Sequence, residues 1–408
     1  MRCLLLTNHF YPESFRCNDI AFELVKRGYE ITVITAIPDY PQGKFYKGYS
    51  LFKKRREIIN NVKIIRVPII PRGKGKAIQM ILNYISGLFF FTFYALYHAF
   101  VYKYDCIFVH NTSPAFICLP AVLIKNIQKI PLDIWILDMW PQSLVAGGVK
   151  NVYLYKLIDK MMDYIYRNST ILHISSLGFR ELLRQRKVPD DKIRYLPNWS
   201  DEAITEGKDV TLPILPDGFI IMFAGNIGEA QNMENVMNTA LLLKEYTNIH
   251  WVFLGNGRKL KWVETFVKEH HLENTVHLLG RFPIQTMSSF FKKADVMLVS
   301  LTDNLVFNLT LPAKVQAYMS CSKPIMGILN GEGQEIIKDA NCGWCVNANE
   351  PEKAAELFLE ISAMPKEQLE KIGNNGYNYY LTNFQKDTCI NTIDNTLKQT
   401  VQEGNERN

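Results

Sequence analysis

The sequence lacks the short motifs that would assign a cofactor. The first apolar strand is not followed by G-x-G-x-x-G, so the dinucleotide-binding fingerprint is absent. Cys342 and Cys345 form one C-x-x-C pair, but no second pair completes a zinc site. This pair enters a predicted strand instead of opening a helix, where a thiolate would be stabilised. We therefore expect neither a redox role nor a zinc-binding role for these cysteines.

A secretory signal is also missing, because no charged-then-apolar segment with a small-residue cleavage site opens the chain. The eight cysteines lie mostly inside apolar runs. Both observations predict a reduced, cytoplasmic protein. With 408 residues, of which 48% are apolar and 21% charged, the chain is globular and too long for one domain, so we expect two.

Acidic residues are scarce in segment 44–76, where eleven Lys or Arg residues stand against Glu57 alone. The formal net charge of the whole chain is only +6, so this segment is a local basic patch. A nucleic acid or an anionic membrane surface would suit such a patch. No recognisable nucleic-acid-binding module accompanies it, which argues against nucleic acid and favours the membrane.

The next segment, 77–102, contains no Asp, Glu, Lys or Arg over 26 residues, which is long enough to span a bilayer. It could be a helix that packs on a sheet with one face and touches lipid with the other, a buried helix, or a spanning helix. Buried strands are predicted on both sides of it, and neighbouring strands of one parallel sheet do not lie on opposite sides of a membrane. We therefore expect segment 44–102 to make peripheral contact with the inner face of the cytoplasmic membrane.

Short apolar strands alternate with helices along the whole chain, beginning with strands at 2–7 and 30–36. This order predicts an α/β protein with two doubly wound, Rossmann-like domains facing a cleft. The predicted divisions are an N-terminal domain at 1–199, a linker at 200–217, a C-terminal domain at 218–381, and at 382–408 a helix that returns to the first domain, followed by a tail.

The stretch 301–327 is the strongest candidate for a ligand-binding turn. A predicted strand ends at Ser300, and Pro312 stands where the first turn of a helix tolerates a missing N–H. The helix would start near Leu311 and point its free N–H groups at the carboxyl end of the strand, where open parallel sheets bind phosphorylated ligands. Lys314 adds a positive charge for the same anion. The alternative is that Lys314 is a surface residue of an ordinary strand–helix unit.

Other polar residues follow the strands of both domains. Asp138 comes directly after a buried strand, where a carboxylate is costly unless it is paired or used. Two roles are open for Asp138: direct involvement in the chemistry, and a structural role that holds Trp140 in place. The remaining candidates in the first domain are His9, Tyr11, Glu13, Asp39, Tyr40 and His110. Those in the second domain are Gly225, Asn226, Gly228, Arg258, Thr310 and Gln316.

Longer motifs carry a resemblance to a known family. In their order and spacing, FAGNIGEAQNMENV, WVFLGNGRKLK, VHLLGRFP and LPAKVQAYMSCSKPIMG resemble the donor-binding domain of family-4 glycosyltransferases with the GT-B fold. In the first domain, FYPESFRCNDIAFELVKRGYEITVIT, PDYPQGKFYKGY, DMWPQS and YLPNW resemble the L-fucosamine (N-acetylfucosamine) transferases of O-antigen and capsule synthesis. The similarity spans nearly the whole chain.

The resemblance implies a hexosyltransferase-type enzyme that retains the configuration of the transferred sugar. It implies a UDP-linked amino or deoxy sugar as donor, a lipid-diphosphate-linked saccharide as acceptor, and no metal or other cofactor, because helix N-termini and cations can stabilise the leaving diphosphate. The first domain would take the acceptor, with Asp138 as the catalytic candidate. The second domain would bind the nucleotide sugar.

Two departures from the family pattern affect the donor site. The Arg and Lys with which much of the family holds the diphosphate are replaced by Asn226 and Gln231. The two family glutamates fall on residues 309 and 317, and neither is acidic. We therefore predict that Lys314, together with Arg258, binds the diphosphate. The sequence does not identify the residue that meets the nucleotide ribose; Gln316, a nucleotide-binding candidate, is adjacent to residue 317 but projects from another face of the helix.

Two other functions are open at this point. A nucleotide-sugar epimerase of the same fold would use the same two domains, but it needs acid and base residues across the sugar ring, which the sequence does not assemble. A catalytically silent nucleotide-sugar-binding subunit would explain the missing glutamates.

Overall fold

The chain forms two α/β units, each built on its own sheet. A computed structural model describes residues 1–146, 151–207 and 210–407. Unit 1 contains Met1–Ser175, Phe179–Leu196 and Ile390–Asn408, and unit 2 contains Ser176–Gly178 and Pro197–Cys389. The predicted α/β class with two doubly wound sheets is confirmed.

The sheet of unit 1 has eight strands. They are β1 (Arg2–Thr7), β2 (Glu30–Ala36), β3 (Arg56–Ile59), β4 (Val62–Val67), β5 (Cys106–Asn111), β6 (Leu132–Ile136), β7 (Ile171–Ile174) and β8 (Ile193–Tyr195). Their order is β3-β4-β2-β1-β5-β6-β7-β8, and the described pairs are parallel except for β3 with β4. The strand order reverses between β1 and β5, so the polar loops after β1, β5 and β6 lie at the position where such sheets bind ligands.

Strand β3 lies inside segment 44–76, for which the sequence predicted only a basic patch. It forms an antiparallel hairpin with β4, and the turn residues Asn60 and Asn61 have φ values of +48° and +63°. Two consecutive residues with positive φ are typical of the tight hairpin turn that Asn favours. The Asn-Asn pair was therefore the sequence signal for this missed strand.

The helices of this part of the chain are α1 (Arg16–Lys26), α2 (Ala77–Val101), α3 (Cys118–Gln128), α4 (Gln142–Ala146), α5 (Val152–Asn168) and α6 (Gly178–Gln185). Helix α2 packs against β2, β4 and α3. Inside this contact, the side chain of Asn83 donates to the Ile70 carbonyl at 2.6 Å, and the Ser86 hydroxyl accepts the Ile70 N–H at 2.9 Å. The polar residues of this apolar segment thus hold it to the loop after β4.

The other side of α2 is exposed and apolar. We call it the exposed α2 face, and it consists of Ile78, Ile81, Leu82, Ile85, Phe89, Phe93, Tyr97 and Phe100. The helix Ile78–Val101 is long and apolar enough to cross a membrane, with a mean hydropathy of 1.4, and only 17% of its most apolar window is buried. The interpretation as a buried helix is therefore wrong. The strands before and after α2, β4 and β5, belong to one sheet, which disfavours a spanning helix. Lipid contact by this face stays a prediction.

Unit 2 is built on a six-stranded parallel sheet. Its strands are β9 (Phe219–Asn226), β10 (Ile249–Asn256), β11 (Val276–Gly280), β12 (Val296–Ser300), β13 (Ile325–Ile328) and β14 (Gly343–Val346), in the order β11-β10-β9-β12-β13-β14. The helices from residue 202 onward are α7 (Glu202–Thr205), α8 (Met233–Leu242), α9 (Leu260–Glu269), α10 (Met287–Lys293), α11 (Leu305–Asn308), α12 (Ala313–Met319), α13 (Glu332–Asp339), α14 (Pro351–Ser362), α15 (Lys366–Asn383) and α16 (Lys386–Arg407). The order reverses between β9 and β12, which places the candidate turn 301–327 at the switch point.

The predicted linker 200–217 is part of unit 2 and is not a free connection. It contains helix α7, whose Glu202 accepts from Lys386 at 2.6 Å and whose Ile204 is buried. Residues 208 and 209 lie outside the described residues. The polar, Pro-containing composition suggested a linker, but this segment packs against the rest of unit 2.

The end of the chain belongs to unit 1. In α16, Ile390, Ile393 and Leu397 are fully buried, and Asp394 accepts from the Tyr29 hydroxyl at 2.6 Å. The change of unit comes at Ile390. It lies inside the last helix and eight residues later than the division at 382 that the sequence suggested.

Candidate active site

Two Gly-Asn pairs lie side by side at the carboxyl ends of β9 and β10. The strands pair Gly225 with Gly255 and Asn226 with Asn256. The backbone N–H of Ile227 then donates to the Asn256 carbonyl at 2.9 Å, which fixes the loop after β9. This arrangement lies beside the switch point of the unit 2 sheet.

Lys314 reaches this point from the first turn of α12. Gly225 has a φ of +141°, in the region that favours glycine, and a Cβ at this position would lie 2.8 Å from Lys314 Cε. The Lys314 ammonium lies 4.6 Å from the centre of the Phe223 ring, within cation–π range. The structure therefore brings together the turn 301–327 and the first Gly-Asn pair.

The Lys314 ammonium has no carboxylate partner among the residues that the structure describes. Burial lowers the pKa of its side chain from the ordinary 10.5 to about 8. Burying an ammonium without a counterion costs folding free energy, so a lysine of this kind marks a binding site more often than an ordinary surface lysine does. An anionic ligand beside Gly225 would supply the missing negative charge.

The loop before α12 is held by hydrogen bonds to Ser176, which belongs to the same unit. The Ser176 hydroxyl donates to the Leu309 carbonyl at 2.6 Å and accepts the Leu311 N–H at 3.1 Å. Helix α12 starts at Ala313, with Pro312 in the N-cap position, and it has only seven residues. It therefore starts slightly later than predicted, and the lysine charge matters more for an anion than the dipole of this short helix.

The loops after β9 and β10 hold the residues that depart from the family pattern. The Asn226 amide lies 3.5 Å from the Gln231 side-chain oxygen, so this neutral pair forms at most a weak contact. Arg258 is exposed and has no ion pair within the described parts of the chain, whereas Lys259 is paired with Glu234 at 3.0 Å. Arg258 is thus the cation of these loops that is available to a ligand.

Two predicted donor residues have structural roles. Gln316 is 1% exposed and its amide donates to the Asn198 carbonyl at 2.7 Å, so the prediction that it binds the nucleotide is wrong. The Thr310 hydroxyl donates to the Val306 carbonyl at 2.7 Å and stabilises the end of α11. Gly228 is buried in the turn after β9.

Sequence reasoning missed Tyr318. This side chain is 1% exposed, and its hydroxyl lies 3.1 Å from the Ala224 nitrogen and 3.2 Å from the Ala224 oxygen. It ties α12 to the end of β9, one residue before Gly225. Its position four residues after Lys314, on the same face of the helix, was the signal that could have found it.

In unit 1, Asp138 is held by two hydroxyl groups. Ser113 and Ser143 each donate a hydrogen bond to one of its carboxylate oxygens. The Ser113 hydroxyl also accepts from the Trp140 indole nitrogen at 2.9 Å. Asp138 therefore does brace Trp140 through Ser113, yet it stays partly exposed and has lone pairs left for a ligand.

A buried network lies after β1 and centres on His9. Its Nδ1 lies 3.0 Å from Glu13 Oε2, and its Nε2 lies 2.7 Å from Arg72 Nη2. A carboxylate accepts and a guanidinium donates, so these two contacts suit a His9 ring that donates from Nδ1 and accepts at Nε2. Glu13 also accepts the N–H groups of Asp39 at 3.0 Å and Tyr40 at 2.7 Å, which joins the loops after β1 and β2.

His9, Glu13 and Asp39 have ligand atoms within 4.8 Å of one another, a spacing that suits a metal ion. However, the Arg72 guanidinium already contacts this group, at 2.7 Å from His9 and 3.9 Å from an Asp39 oxygen. It occupies the lone pair of His9 and would repel a second cation. The cluster therefore does not fit a divalent metal ion.

The other predicted acceptor residues differ in accessibility. Tyr11 and Tyr40 are 41% and 44% exposed and are open to a ligand. His110 and Asp39 are each 1% exposed and Glu13 is 2% exposed, so the prediction that these three residues contact the acceptor is wrong. Burial also lowers the pKa of His110 to about 3. Arg72 was predicted only as part of the basic patch, but its guanidinium lies 5.6 Å from the centre of the Tyr40 ring, so it belongs to this site.

Several solved structures to which this chain is similar are glycosyltransferases of the GT-B class. The chain is similar to sucrose-phosphate synthase from Thermosynechococcus elongatus, with a TM-score of 0.73 and 14% identity over 98% of both chains. It is also similar to HepE from Anabaena in complex with UDP-glucose, with a TM-score of 0.67 and 13% identity over 98% of this chain and 100% of that one. The two parallel-sheet domains thus define a protein of the GT-B fold.

Two family models match consecutive parts of the chain. Residues 14–199 match the glycosyl transferase 4-like domain, and residues 208–379 match the glycosyl transferases group 1 domain. The chain is therefore a glycosyltransferase that combines these two domains.

Two curated relatives agree with this family. A protein named as a glycosyltransferase, WbjE of Pseudomonas aeruginosa, is 23% identical over 300 residues, which cover 69% of this chain and 74% of WbjE. A protein named as a colanic acid biosynthesis glycosyl transferase, WcaI of Escherichia coli (strain K12), is 22% identical over 320 residues, covering 73% of this chain and 76% of WcaI.

Proposed function

We propose that this glycosyltransferase moves an amino or deoxy sugar from a UDP-linked donor to a lipid-diphosphate-linked saccharide, with retention of configuration, in the synthesis of a bacterial surface polysaccharide such as O-antigen or capsule. The observation that carries the proposal is the partly buried Lys314 ammonium beside Gly225, which has no carboxylate partner among the described residues. The UDP-glucose of the HepE complex supports the donor class, and the name of WcaI supports the pathway class.

Unit 2 binds the donor in this proposal. Lys314 and Arg258 contact the diphosphate, and the missing side chain of Gly225 lets the Lys314 side chain reach the end of β9. When the bond between the anomeric carbon and the diphosphate oxygen breaks, these two cations stabilise the negative charge that develops on the leaving group. The required residues are cations and backbone groups, so the site needs no metal ion.

Unit 1 binds the acceptor. The Asp138 carboxylate, fixed by Ser113 and Ser143, accepts a hydrogen bond from the acceptor hydroxyl and orients it. The leaving diphosphate takes the proton of that hydroxyl as the new glycosidic bond forms. A dedicated base is therefore unnecessary, and the two-carboxylate arrangement of glycosidases does not apply.

The proposed enzyme works at the inner face of the cytoplasmic membrane. The exposed α2 face supplies apolar contact, and the basic segment 44–76 supplies attraction to anionic lipids. Such binding is peripheral. It would bring unit 1 to a membrane-embedded acceptor.

The test is to incubate the purified protein with several UDP-sugars and a lipid-diphosphate saccharide, and to analyse both products. Transfer of the sugar to the lipid supports the proposal. An epimerised donor without transfer would indicate an epimerase instead. UDP binding without either reaction would indicate a silent binding subunit.

A further inference from the structure

Unit 1 contains a groove away from the polar loops of the candidate site. Its volume is about 800 Å³, and it is lined by the amino ends of β1, β2 and β4, by β3, and by the last turn of α2. The polar loops of the candidate site follow the carboxyl ends of the parallel strands. The groove therefore lies at the opposite end of the sheet from the residues that are proposed to bind the acceptor.

The rim of the groove has an excess of positive charge. Its charged residues are Arg2, Glu30, Arg56, Glu57, Lys63 and Lys103. Arg2 is paired with Asp105 at 3.5 Å, and Glu57 with Arg66 at 2.6 Å. Arg56, Lys63 and Lys103 are exposed and form no ion pair with any described residue. Among the described residues, the rim therefore has three unpaired cations and one unpaired acid, Glu30.

Part of the groove lining is apolar and exposed to solvent. Ile58 is 71% exposed, Val101 54% and Tyr102 46%. Phe100, which belongs to the exposed α2 face, is 74% exposed and directly precedes Val101. The apolar surface of the groove thus continues along α2. A ligand that suits both parts has an anionic head and a long apolar chain.

We propose that this groove binds the headgroup of an anionic phospholipid whose acyl chains lie against the exposed α2 face. Arg56, Lys63 and Lys103 contact the phosphate, and Ile58 and Val101 contact the first part of the chains. The inference rests on the membrane association described under the proposed function and deepens it. A lipid fits the groove better than a soluble anion does, because the cationic rim is continuous with the exposed α2 face.

The groove would also fix the orientation of α2 on the bilayer. Lys74 and Lys76 stand just before the helix, and the groove lies at its other end. A helix of 25 residues is roughly 37 Å long, so the two groups of cations hold it at both ends. Two such contacts keep the helix flat on the surface. One contact alone would let it tilt.

The experiment compares a groove variant, Lys63→Gln with Lys103→Gln, with a control of equal charge change on unit 2, Lys244→Gln with Lys268→Gln. Binding is measured by co-sedimentation with vesicles of phosphatidylcholine alone, and of phosphatidylcholine with phosphatidylglycerol at a mole ratio of about 7:3. We expect the groove variant to lose roughly 30-fold in affinity for the anionic vesicles, because two charge contacts are removed. The control should bind as the unchanged protein does.

Native mass spectrometry separates a specific site from general attraction to the surface. The unchanged protein should retain phosphatidylglycerol, and the groove variant should not. Equal retention by both proteins would overturn the proposal. Binding of glycerol phosphate or inorganic phosphate to the groove with an affinity equal to that for the lipid would also overturn it, because the occupant would then be a soluble phosphate.

Failure here is distinguishable from failure of the proposed function. UDP affinity and sugar transfer to a detergent-solubilised acceptor should be unchanged in the groove variant, which also shows that it is folded. If the unchanged protein transfers sugar and binds vesicles while the groove variant binds vesicles equally well, only the groove assignment is wrong. If the unchanged protein does not bind anionic vesicles, the membrane part of the proposed function is wrong, and this inference with it.

Discussion

Gly225 leaves the space that Lys314 occupies, since a Cβ at residue 225 would lie 2.8 Å from Lys314 Cε. The absence of a side chain on β9 therefore allows a lysine from α12 to reach the end of that strand. The ammonium arrives without a carboxylate partner from the described part of the chain. Substitution of either residue tests whether this arrangement binds a diphosphate.

Replacing Lys314 with methionine removes the charge and keeps a similar side-chain length. We expect UDP affinity to fall by about 1.5–3 kcal/mol, the usual contribution of a hydrogen bond to a charged group. Without ligand, the free energy of unfolding should rise, because an uncompensated and partly buried ammonium is removed. Calorimetry and denaturant unfolding measure the two effects. The exposed Lys371→Met is the matched control, and equal UDP affinity in both variants would reject the assignment.

The lowered pKa of Lys314 predicts a pH dependence of stability. The native side chain loses its proton near pH 8 and the unfolded one near 10.5, so the unfolded state binds more protons between these values. The free energy of unfolding therefore gains a contribution that increases with pH from about 8 to 10.5. The stabilisation caused by Lys314→Met should be largest below pH 8 and should vanish above 10.5. A difference that does not change with pH would contradict the burial of this ammonium.

The same pKa predicts proton uptake when UDP binds. The diphosphate favours the charged form of Lys314, so above pH 8 binding should take a proton from the buffer. Calorimetry in buffers of different ionisation enthalpy measures this uptake. It should be absent in Lys314→Met, and uptake that persists in this variant would assign the proton to another group.

Gly225→Ala should remove UDP binding by displacing Lys314. The substitution has two effects, a strained φ of +141° and a contact of 2.8 Å with Lys314 Cε. Gly280→Ala separates them, because Gly280 also has a positive φ, +79°, but nothing lies within 4 Å of its added Cβ. We expect both variants to lose stability by about 1 kcal/mol from strain, and only Gly225→Ala to lose UDP affinity. Retained affinity in Gly225→Ala would show that the close approach is unimportant.

Asp138→Asn tests the acceptor side. If the carboxylate orients the acceptor hydroxyl, kcat should fall by about 100-fold while UDP affinity stays the same, because the hydroxyl is no longer held in position. Ser113→Ala removes the link to Trp140 and should lower the free energy of unfolding by about 1 kcal/mol, with a smaller effect on kcat. Steady-state kinetics and thermal unfolding of both variants distinguish the roles. If Asp138→Asn loses stability but not turnover, Asp138 only braces Trp140.

The exposed α2 face should be required for membrane binding. Ile85 and Phe89 are 61% and 65% exposed, so aspartate at both positions should not disturb the core. Insertion of a large apolar side chain contributes about 1.5–3 kcal/mol, and the double variant should therefore lose vesicle binding by more than about 100-fold. Leu242→Asp with Ile284→Asp, on unit 2, is the control. Unimpaired binding by the α2 variant would show that another surface meets the lipid.

The fold was largely predictable because the strands of a parallel sheet are buried on both faces. Strands β1 and β2 begin and end where the apolar runs predicted. Strand β3 was missed because an edge strand with one solvent-facing side carries polar residues, so its sequence resembles a loop. The division of the chain was less accurate, since segment 200–217 is polar yet packs on unit 2.

The candidate site was predictable only in part. The turn around Lys314 could be predicted because it comes directly after a buried strand, and the order of residues along the chain is enough to show this. The burial of His110 and Gln316 did not follow from the sequence, because the same side chain can face a ligand or the core according to the packing of its neighbours. The approach of Arg72 to His9 also escaped prediction, since 63 residues separate them.

The sequence by itself determined the α/β alternation, the Gly-Asn turns, the basic patch and the apolar length of α2, because each depends on neighbouring residues. Tertiary structure decided which charges have partners. Glu57 and Arg66 neutralise each other only because β3 folds back on β4. The packing around Lys314 buries its ammonium and places no carboxylate of the described chain beside it. Pairing and burial depend on distances between residues far apart in sequence, and those distances exist only after the sheets have formed.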